Sequence, residues 1–196
     1  MKTMYISNNK TLWFTADTHL GHANIIKYCN RPFSNIDEMN RELCKRWNNV
    51  VKEDDFIFIV GDFCFGGKKQ WREYLSRLNG YKFLVKGNHD KENNIPTPLP
   101  TDNFDWCDGF VNIKVSDDEF DTGEQYVTVC HYPMLSWYRS YHGAWQLFGH
   151  VHGTIKGGVN QLDVGVDVHN FTPVNWESVK EIITKKNLDQ NTFNNG

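Results

Sequence analysis

The stretch Phe56-Ile-Phe-Ile-Val-Gly-Asp62 decides the fold, because five apolar residues in a row end at a glycine and a carboxylate. An unbroken apolar run of this kind is typical of a strand that is covered on both faces. A carboxylate placed directly behind such a strand has little structural reason to be there. The end of this strand is therefore a candidate position for functional groups.

The same arrangement, a short apolar run followed by polar residues, recurs along the chain. The polar motifs are Asp17-Thr-His19, Gly87-Asn-His-Asp90, His131 and Gly149-His-Val-His152. Side chains at the carboxyl ends of parallel strands emerge at one edge of a sheet, where open α/β folds form their sites. The chain is therefore predicted to gather these polar side chains into one cluster.

Helical spacing between the apolar runs predicts alternating strands and helices. Apolar residues within 36–50 and 71–78 recur every three or four positions, as on one face of a helix. The resulting β-α-β-α-β order implies parallel strands joined by crossovers. Later patterns predict a hairpin built from 111–115 and 126–130, a strand over 162–168 and a closing helix over 173–184. We expect an α/β (α+β) fold with two packed sheets flanked by helices.

Length and composition predict the organisation and location of the protein. The 196 residues suggest one domain over 1–184 and a polar, flexible tail over 185–196. A net charge of −3 without a long basic block does not indicate tight nucleic-acid binding, although nucleic acid stays open as a partner. No apolar run approaches the roughly 18 residues that a membrane span needs. Five scattered cysteines favour reduced thiols and a cytoplasmic location, and the oligomeric state is left open.

The donor atoms in the polar motifs suit two divalent cations better than one. Asp17 and His19 are two residues apart, so on an extended strand end they point the same way and can clamp a cation. A carboxylate such as Asp62 can bridge two cations, holding them ~3.5–4 Å apart as two-metal hydrolases require. The full candidate ligand set contains oxygen and imidazole donors: Asp17, His19, Asp62, Asn88, His131, His150 and His152. Mn²⁺ is the metal we expect first, while Fe²⁺, Zn²⁺ and Ni²⁺ also tolerate such mixed donors.

The residues beside these ligands are candidates for catalysis and substrate binding. His89 follows Asn88 directly, so its side chain is expected to face the substrate and protonate the leaving oxygen. Asp90 is predicted to orient His89 by accepting its second ring proton. Three further residues are candidates for the substrate pocket, each with a structural alternative: His22 (or a helix cap), Arg31 (or a salt bridge) and His142 (or a packed surface loop).

The ordered motifs resemble the signature of the calcineurin-like metallophosphoesterases, which is D-x-H, G-D, G-N-H-D or G-N-H-E, a lone His and G-H-x-H. The resemblance spans 17–152. Within this family, the chain is similar to the small single-domain bacterial and phage-type members. It implies a four-layer αββα sandwich with two metals. The first metal would take Asp17, His19, Asp62 and His152, and the second would take Asp62, Asn88, His131 and His150. His89 would be the general acid.

The function that this resemblance implies is metal-dependent hydrolysis of a phosphodiester or phosphomonoester by a hydroxide that two metals activate. The aromatic-rich composition favours a nucleotide-type substrate. Two alternatives belong to other classes. One is a catalytically silent metal-binding scaffold or protein-interaction module of the same fold, which is disfavoured because every ligand is kept. The other is a mononuclear iron oxygenase, which leaves Asp62, Asn88 and two histidines unexplained.

Overall fold

A computed structural model describes residues 3–7, 9–96 and 104–194, with side chains described as far as residue 189. Fourteen strands and α-helices lie within these ranges. The strands are β1 (Thr3–Ile6), β2 (Leu12–Thr15), β3 (Phe56–Ile59), β4 (Tyr81–Val85), β5 (Phe104–Cys107), β6 (Phe110–Ser116), β7 (Glu124–Cys130), β8 (Trp145–Phe148), β9 (Gln161–Asp163) and β10 (Val174–Asn175). The helices are α1 (Ile25–Tyr28), α2 (Ile36–Val50), α3 (Lys68–Arg77) and α4 (Trp176–Asn194).

The first sheet has the strand order β10-β2-β3-β4-β5 and confirms the predicted alternation of strands and helices. Strands β2 to β5 run parallel, while β10 is antiparallel to β2. Asn35 caps α2, as its position before the apolar pattern suggests, because its side chain accepts the backbone N–H of Glu38 at 3.0 Å. The parallel register places the ends of β2, β3 and β4 at one edge of the sheet.

The second sheet has the order β1-β6-β7-β8-β9. The predicted hairpin is confirmed, since β6 and β7 pair antiparallel with Val111 opposite Val129. Strands β7, β8 and β9 are parallel. Strands β7 and β8 therefore end at the same edge of this sheet, and the residues that follow them leave the sheet at that edge.

Two apolar clusters hold the sheets and helices together. The first contains Phe14 and Phe58 from the first sheet together with Val129 and Leu147 from the second, so it fills the space between the sheets. The second cluster lies on the opposite face of the first sheet and contains side chains from α2 and α3. The predicted two-sheet architecture flanked by helices is confirmed, and burial of both faces of β3 explains its unbroken apolar sequence.

Three predicted element boundaries are wrong. The strand expected over 162–168 is only β9, followed by a short 3-10 turn at Val166–Val168. Pro173 does not begin the closing helix, because Val174 and Asn175 first pair with β2. The same helix continues past residue 184 as far as Asn194, so the expected flexible tail is mostly helical.

Side chains near the end of α4 explain its unexpected length. Lys186 donates to the carbonyl oxygens of Lys156 and Gln161, and the Asn187 amide donates to Asn160 Oδ1 at 2.7 Å. These are contacts to distant segments, which a local polar composition does not reveal. Within the described ranges, no helix combines the length and apolar character that a membrane crossing requires.

Candidate metal centre

The five polar motifs converge at the carboxyl ends of β2, β3, β4, β7 and β8. The backbone also links the motifs directly, since the Asp17 N–H donates to Gly61 O at 3.0 Å and the His19 N–H donates to Asp62 O at 2.9 Å. The His150 N–H donates to the Asp17 carboxylate at 2.9 and 3.0 Å, which joins the two sheets at this edge. The fold therefore brings these motifs together, as predicted.

Several candidate ligands have a backbone conformation that side chains rarely adopt. Positive φ angles of 47° to 72° occur at Asp17, His19, Asp62, His150 and His152. Such left-handed residues cost free energy, and they concentrate at functional sites where the surrounding structure enforces them. The abrupt change of direction at each strand end aims the side chain into the cluster. No pattern in the sequence indicates these positive φ angles.

The candidate ligands form two groups with Asp62 between them. Donor atoms of Asp17, His19 and His152 lie within 4.8 Å of one another, as do donor atoms of Asp62, His131 and His150. The Asp62 Oδ2 atom lies 3.6 Å from His19 Nε2 in the first group and 3.4 Å from His131 Nε2 in its own group. The carboxylate is thus within reach of both groups.

Asn88 adds an oxygen donor to the second group. Its Oδ1 atom lies 3.1 Å from His131 Nε2. The other ring nitrogen of His131, Nδ1, lies 2.9 Å from Val60 O and donates its proton to that carbonyl. His131 Nε2 faces the oxygens of Asn88 and Asp62, and it carries a proton towards them when no cation is bound. A cation among these three atoms would stabilise their approach, so the residues fit a metal.

The first group, like the second, contains buried donor atoms that a cation would stabilise. His19 Nε2 is buried and has no hydrogen-bond partner among the described residues, which is costly for a polar atom. Burial raises the pKa of Asp17 to about 7 and lowers the pKa of His19 to about 3. The Asp17 carboxylate is buried beside a neutral imidazole and has no cation next to it among the described residues. A divalent metal bound here would supply the missing positive charge. The mixed oxygen and nitrogen donors suit Mn²⁺, Fe²⁺, Zn²⁺ or Ni²⁺.

Asp62 differs from Asp17, because its neighbours favour the charged carboxylate. Burial alone would raise its pKa, but the hydrogen bond and charge of His131 outweigh this effect and lower the pKa to about 2. The His89 N–H also donates to Asp62 Oδ1 at 2.8 Å. Asp62 is therefore an anion at neutral pH, as a ligand between two cations has to be.

Arg31 supports the site from behind and does not face the substrate pocket. It donates from Nε and Nη2 to the Asp167 carboxylate at 2.8 Å each, and to the carbonyls of Asp17 and Thr18. Its side chain is fully buried. The substrate-binding interpretation of Arg31 is wrong, and the structural salt bridge is correct. Asp167 in turn accepts from His152 Nδ1 at 2.7 Å, which leaves Nε2 of that ring for the first group.

Asp90 has a positioning role that differs from the predicted one. Its carboxylate accepts the backbone N–H groups of Asp62, Phe63 and Gly87 at 2.7, 3.0 and 2.9 Å. The structure describes no hydrogen bond between this carboxylate and the His89 ring, so the prediction that Asp90 orients His89 is not borne out by the described contacts. The carboxylate instead ties the loop after β3 to the loop after β4 and fixes the backbone that carries Asp62.

Two glycines permit the close approach of these loops. Gly61 has a φ of +85°, and a Cβ atom there would lie 2.2 Å from His131 Nδ1. A Cβ atom on Gly87 would lie 2.3 Å from Asp62 Oδ1. Because neither imidazole nor carboxylate can move without leaving its group, a side chain at either position would displace a candidate ligand.

A pocket of about 610 Å³ opens over the two groups. His89 is exposed beside it, and its ring centre lies 5.4 Å from that of His19. His22 also lines the pocket, with its ring stacked on Phe65 at 4.5 Å. His142 lies instead on an exposed 3-10 turn, Ser140–His142, outside the residues that line this pocket, so its predicted place in the pocket is wrong.

The sequence interpretation missed the aromatic residues around the centre. Tyr28 lines the pocket, and Tyr132 contacts the His150 ring with 4.8 Å between ring centres. Neither belongs to a motif, because an aromatic residue in a single sequence looks the same whether it packs in a core or lines a site. The position of Tyr132 next to His131 and of Tyr28 at the end of α1 becomes informative only in three dimensions.

The fold and the donor set define a two-sheet α/β protein with a candidate centre for divalent metals. Residues 10–154 match the family model described as calcineurin-like phosphoesterase, and the chain belongs to this family. Its members bind divalent metals and act on phosphoesters, so the coarse expectation of a metal-binding phosphoester hydrolase is supported.

Relatives extend the similarity over most of the chain. An uncharacterized protein of Methanocaldococcus jannaschii is 34% identical over 90% of this chain and 93% of its own length. The gene 66 protein of Mycobacterium phage D29 is 26% identical over 88% of this chain and 95% of its own length. A protein of unknown function from Aquifex aeolicus has a similar fold, with a TM-score of 0.67, 22% identity and coverage of 89% of this chain and 100% of that one.

Replacement of Asp90 tests its positioning role. Asp90→Asn puts an amide donor against backbone N–H groups, so the free energy of unfolding is expected to fall by about 1–3 kcal/mol. The affinity for Mn²⁺ is expected to fall roughly 10–100-fold, because Asp62 loses its anchored backbone. Urea denaturation and isothermal titration with Mn²⁺ measure the two effects. The exposed Asp54→Asn is the matched control, and unchanged metal affinity in Asp90→Asn would show that Asp90 does not position the ligand.

Proposed function

We propose that this protein hydrolyses phosphate esters with two divalent cations held on either side of Asp62. One observation carries the proposal: a buried carboxylate lies 3.6 Å and 3.4 Å from imidazole nitrogens on its two sides, each at the edge of a three-residue donor group. A single-metal site would not need the second group. The family supports the reaction class, and the geometry supports the number of cations.

Each cation has four candidate ligands. The first would be held by Asp17, His19, Asp62 and His152, and the second by Asp62, Asn88, His131 and His150. When bound, two such cations supply Lewis acidity, which makes water a stronger nucleophile at neutral pH and offsets the charge of the phosphate. Around them, Asp167 and Arg31 hold His152 in place, while Asp90 holds the backbone of Asp62.

His89 is the residue that we assign to proton transfer. It belongs to neither donor group, its side chain is exposed at the pocket, and its backbone N–H is fixed on Asp62 Oδ1. Its ring can therefore reach a substrate oxygen while its main chain stays attached to the centre. His89 would donate a proton to the oxygen of the leaving group as the bond to phosphorus breaks.

Three finer assignments belong to this proposal. Mn²⁺ is the proposed working metal, because the donor set combines carboxylate and amide oxygens with imidazoles. A nucleotide-type substrate is supported by the aromatic side chains Tyr28 and Tyr132 beside the centre. A cytoplasmic location is supported by five cysteines that are all free thiols.

Replacement of Asp62 tests the two-cation proposal. In Asp62→Asn the neutral amide cannot offset two cations, so bound Mn²⁺ is expected to fall from two per chain to one or none. Hydrolysis of bis(p-nitrophenyl) phosphate should fall by more than about 10²-fold. Metal analysis after dialysis and initial rates measure these effects, with the exposed Asp118→Asn as control. Equal rates in wild type and Asp62→Asn would refute the proposal. Two bound ions without turnover of any phosphate ester would favour a silent scaffold instead.

Replacement of His89 separates proton transfer from metal binding. His89→Ala is expected to keep both metal ions while turnover falls by about 10²–10⁴-fold for esters with alkoxide leaving groups. The loss should be much smaller for p-nitrophenolate, which leaves without a proton. Comparing the two kinds of leaving group in wild type and variant measures the difference. Loss of metal from His89→Ala would mean that this residue is a ligand.

A further inference from the structure

The pocket over the centre adjoins a second pocket, and Asn88 lines both. The first, called here the His89 pocket, has a volume of about 610 Å³ and includes His89, His22 and Tyr28. The second, called here the Tyr132 pocket, has a volume of about 520 Å³ and includes Tyr132, Phe110 and Met134. Asn88 lines both pockets, and the Tyr132 ring contacts the ring of His150, which lines the His89 pocket. A molecule bound at the centre can therefore extend in two directions.

Aromatic rings are exposed in both directions. Tyr28 is 73% exposed in the His89 pocket, while Tyr132 and Phe110 are 45% and 43% exposed in the Tyr132 pocket. Single exposed apolar residues are common on protein surfaces and need no explanation. Here, however, the exposed rings lie on both sides of a polar, candidate catalytic centre. Ring faces in such positions can stack on planar groups of a ligand.

The charges of the pockets favour organic groups over additional phosphate charge. Among the described residues that line the His89 pocket there is no lysine or arginine. The Tyr132 pocket is lined by two lysines, Lys86 and Lys91, and by three acidic residues, Asp90, Glu92 and Asp108, and Lys86 forms an ion pair with Asp108 at 2.6 Å. A phosphomonoester dianion has a second charged oxygen at the position where a diester has a neutral ester arm. An open second pocket lined by Phe110, Tyr132 and Met134 fits such an arm better than it fits a bare charged oxygen.

We propose that the substrate is an acyclic phosphodiester with a planar ring on each ester arm. This inference rests on the proposed function and specifies its substrate class. The leaving arm lies in the His89 pocket, because the proposed proton donor is there, and the retained arm lies in the Tyr132 pocket. Water supplies the oxygen that bonds to phosphorus and loses one proton to solvent, the phosphorus–oxygen bond to the leaving arm breaks, and His89 protonates that leaving oxygen. His89 then recovers a proton from solvent, and the products are one alcohol and one phosphomonoester.

The test compares two diesters that share a charge and a leaving group. Bis(p-nitrophenyl) phosphate has a ring on both arms, and methyl p-nitrophenyl phosphate has a ring only on the leaving arm. The measured quantity is the ratio of the two kcat/KM values, determined with Mn²⁺. The two diesters also differ in intrinsic reactivity, but this difference cancels when the ratio of a variant is compared with that of the wild type. Phe110→Ala and the conservative Phe110→Leu should each lower this ratio roughly tenfold, as the loss of one stacked ring does.

Tyr28→Ala is the counterpart on the other side of the centre. It should lower kcat/KM for both diesters and leave their ratio at the wild-type value, because both diesters place p-nitrophenolate in the His89 pocket. Tyr141→Ala removes a tyrosine that is 94% exposed outside both pockets, and should change neither value.

Two outcomes would overturn the inference. One is a wild-type ratio in both Phe110 variants, and the other is hydrolysis of p-nitrophenyl phosphate with a kcat/KM equal to that of bis(p-nitrophenyl) phosphate or above it. Either result would leave the proposed function standing. If the wild type hydrolyses none of the three compounds faster than Asp62→Asn does, the proposed function itself fails.

Discussion

The contact of a buried carboxylate, Asp62, with imidazoles on both sides is the interaction on which the rest of the site depends. Only 3% of the side chain is exposed, and it lies within 3.6 Å of ring nitrogens from His19 and His131. That position requires a sharp turn after β3, a glycine on each of two neighbouring loops, and the Asp90 carboxylate to tie those loops together. A large part of the local geometry serves to hold this one anion between two groups of imidazole and oxygen donors.

The fold, and the meeting of the candidate donors at one edge of the sheet, could be predicted from the sequence because both follow from local patterns. The apolar run before Asp62 identifies a buried strand, and strand ends in a parallel sheet must meet at one edge. The assignments that failed depend on distant partners. Arg31 is paired with Asp167, which is 136 residues away, and Asp90 is bonded to the backbone of another loop. The extension of α4 depends on carbonyls of Lys156 and Gln161, so a polar composition alone was misleading.

The division of roles around the centre follows from where each side chain points. Residues on the inner side, such as Arg31, Asp90 and Asp167, hold ligands or backbone and do not line the His89 pocket. Residues on the outer side, His89 and His22, face the space that a substrate would occupy. The family membership describes the reaction class, whereas Tyr28, Phe110 and Tyr132 lie outside its motifs. Substrate preference within this family is therefore expected to depend on residues that motif patterns do not include.

The most direct test of the central claim is the spacing and number of bound metal ions. Metal-free protein titrated with Mn²⁺ and followed by electron paramagnetic resonance reports both quantities. The account predicts that two ions bind per chain and that their spins couple, since one shared carboxylate would hold them ~3.5–4 Å apart. Saturation at one ion per chain, or two ions with uncoupled spectra, would contradict it.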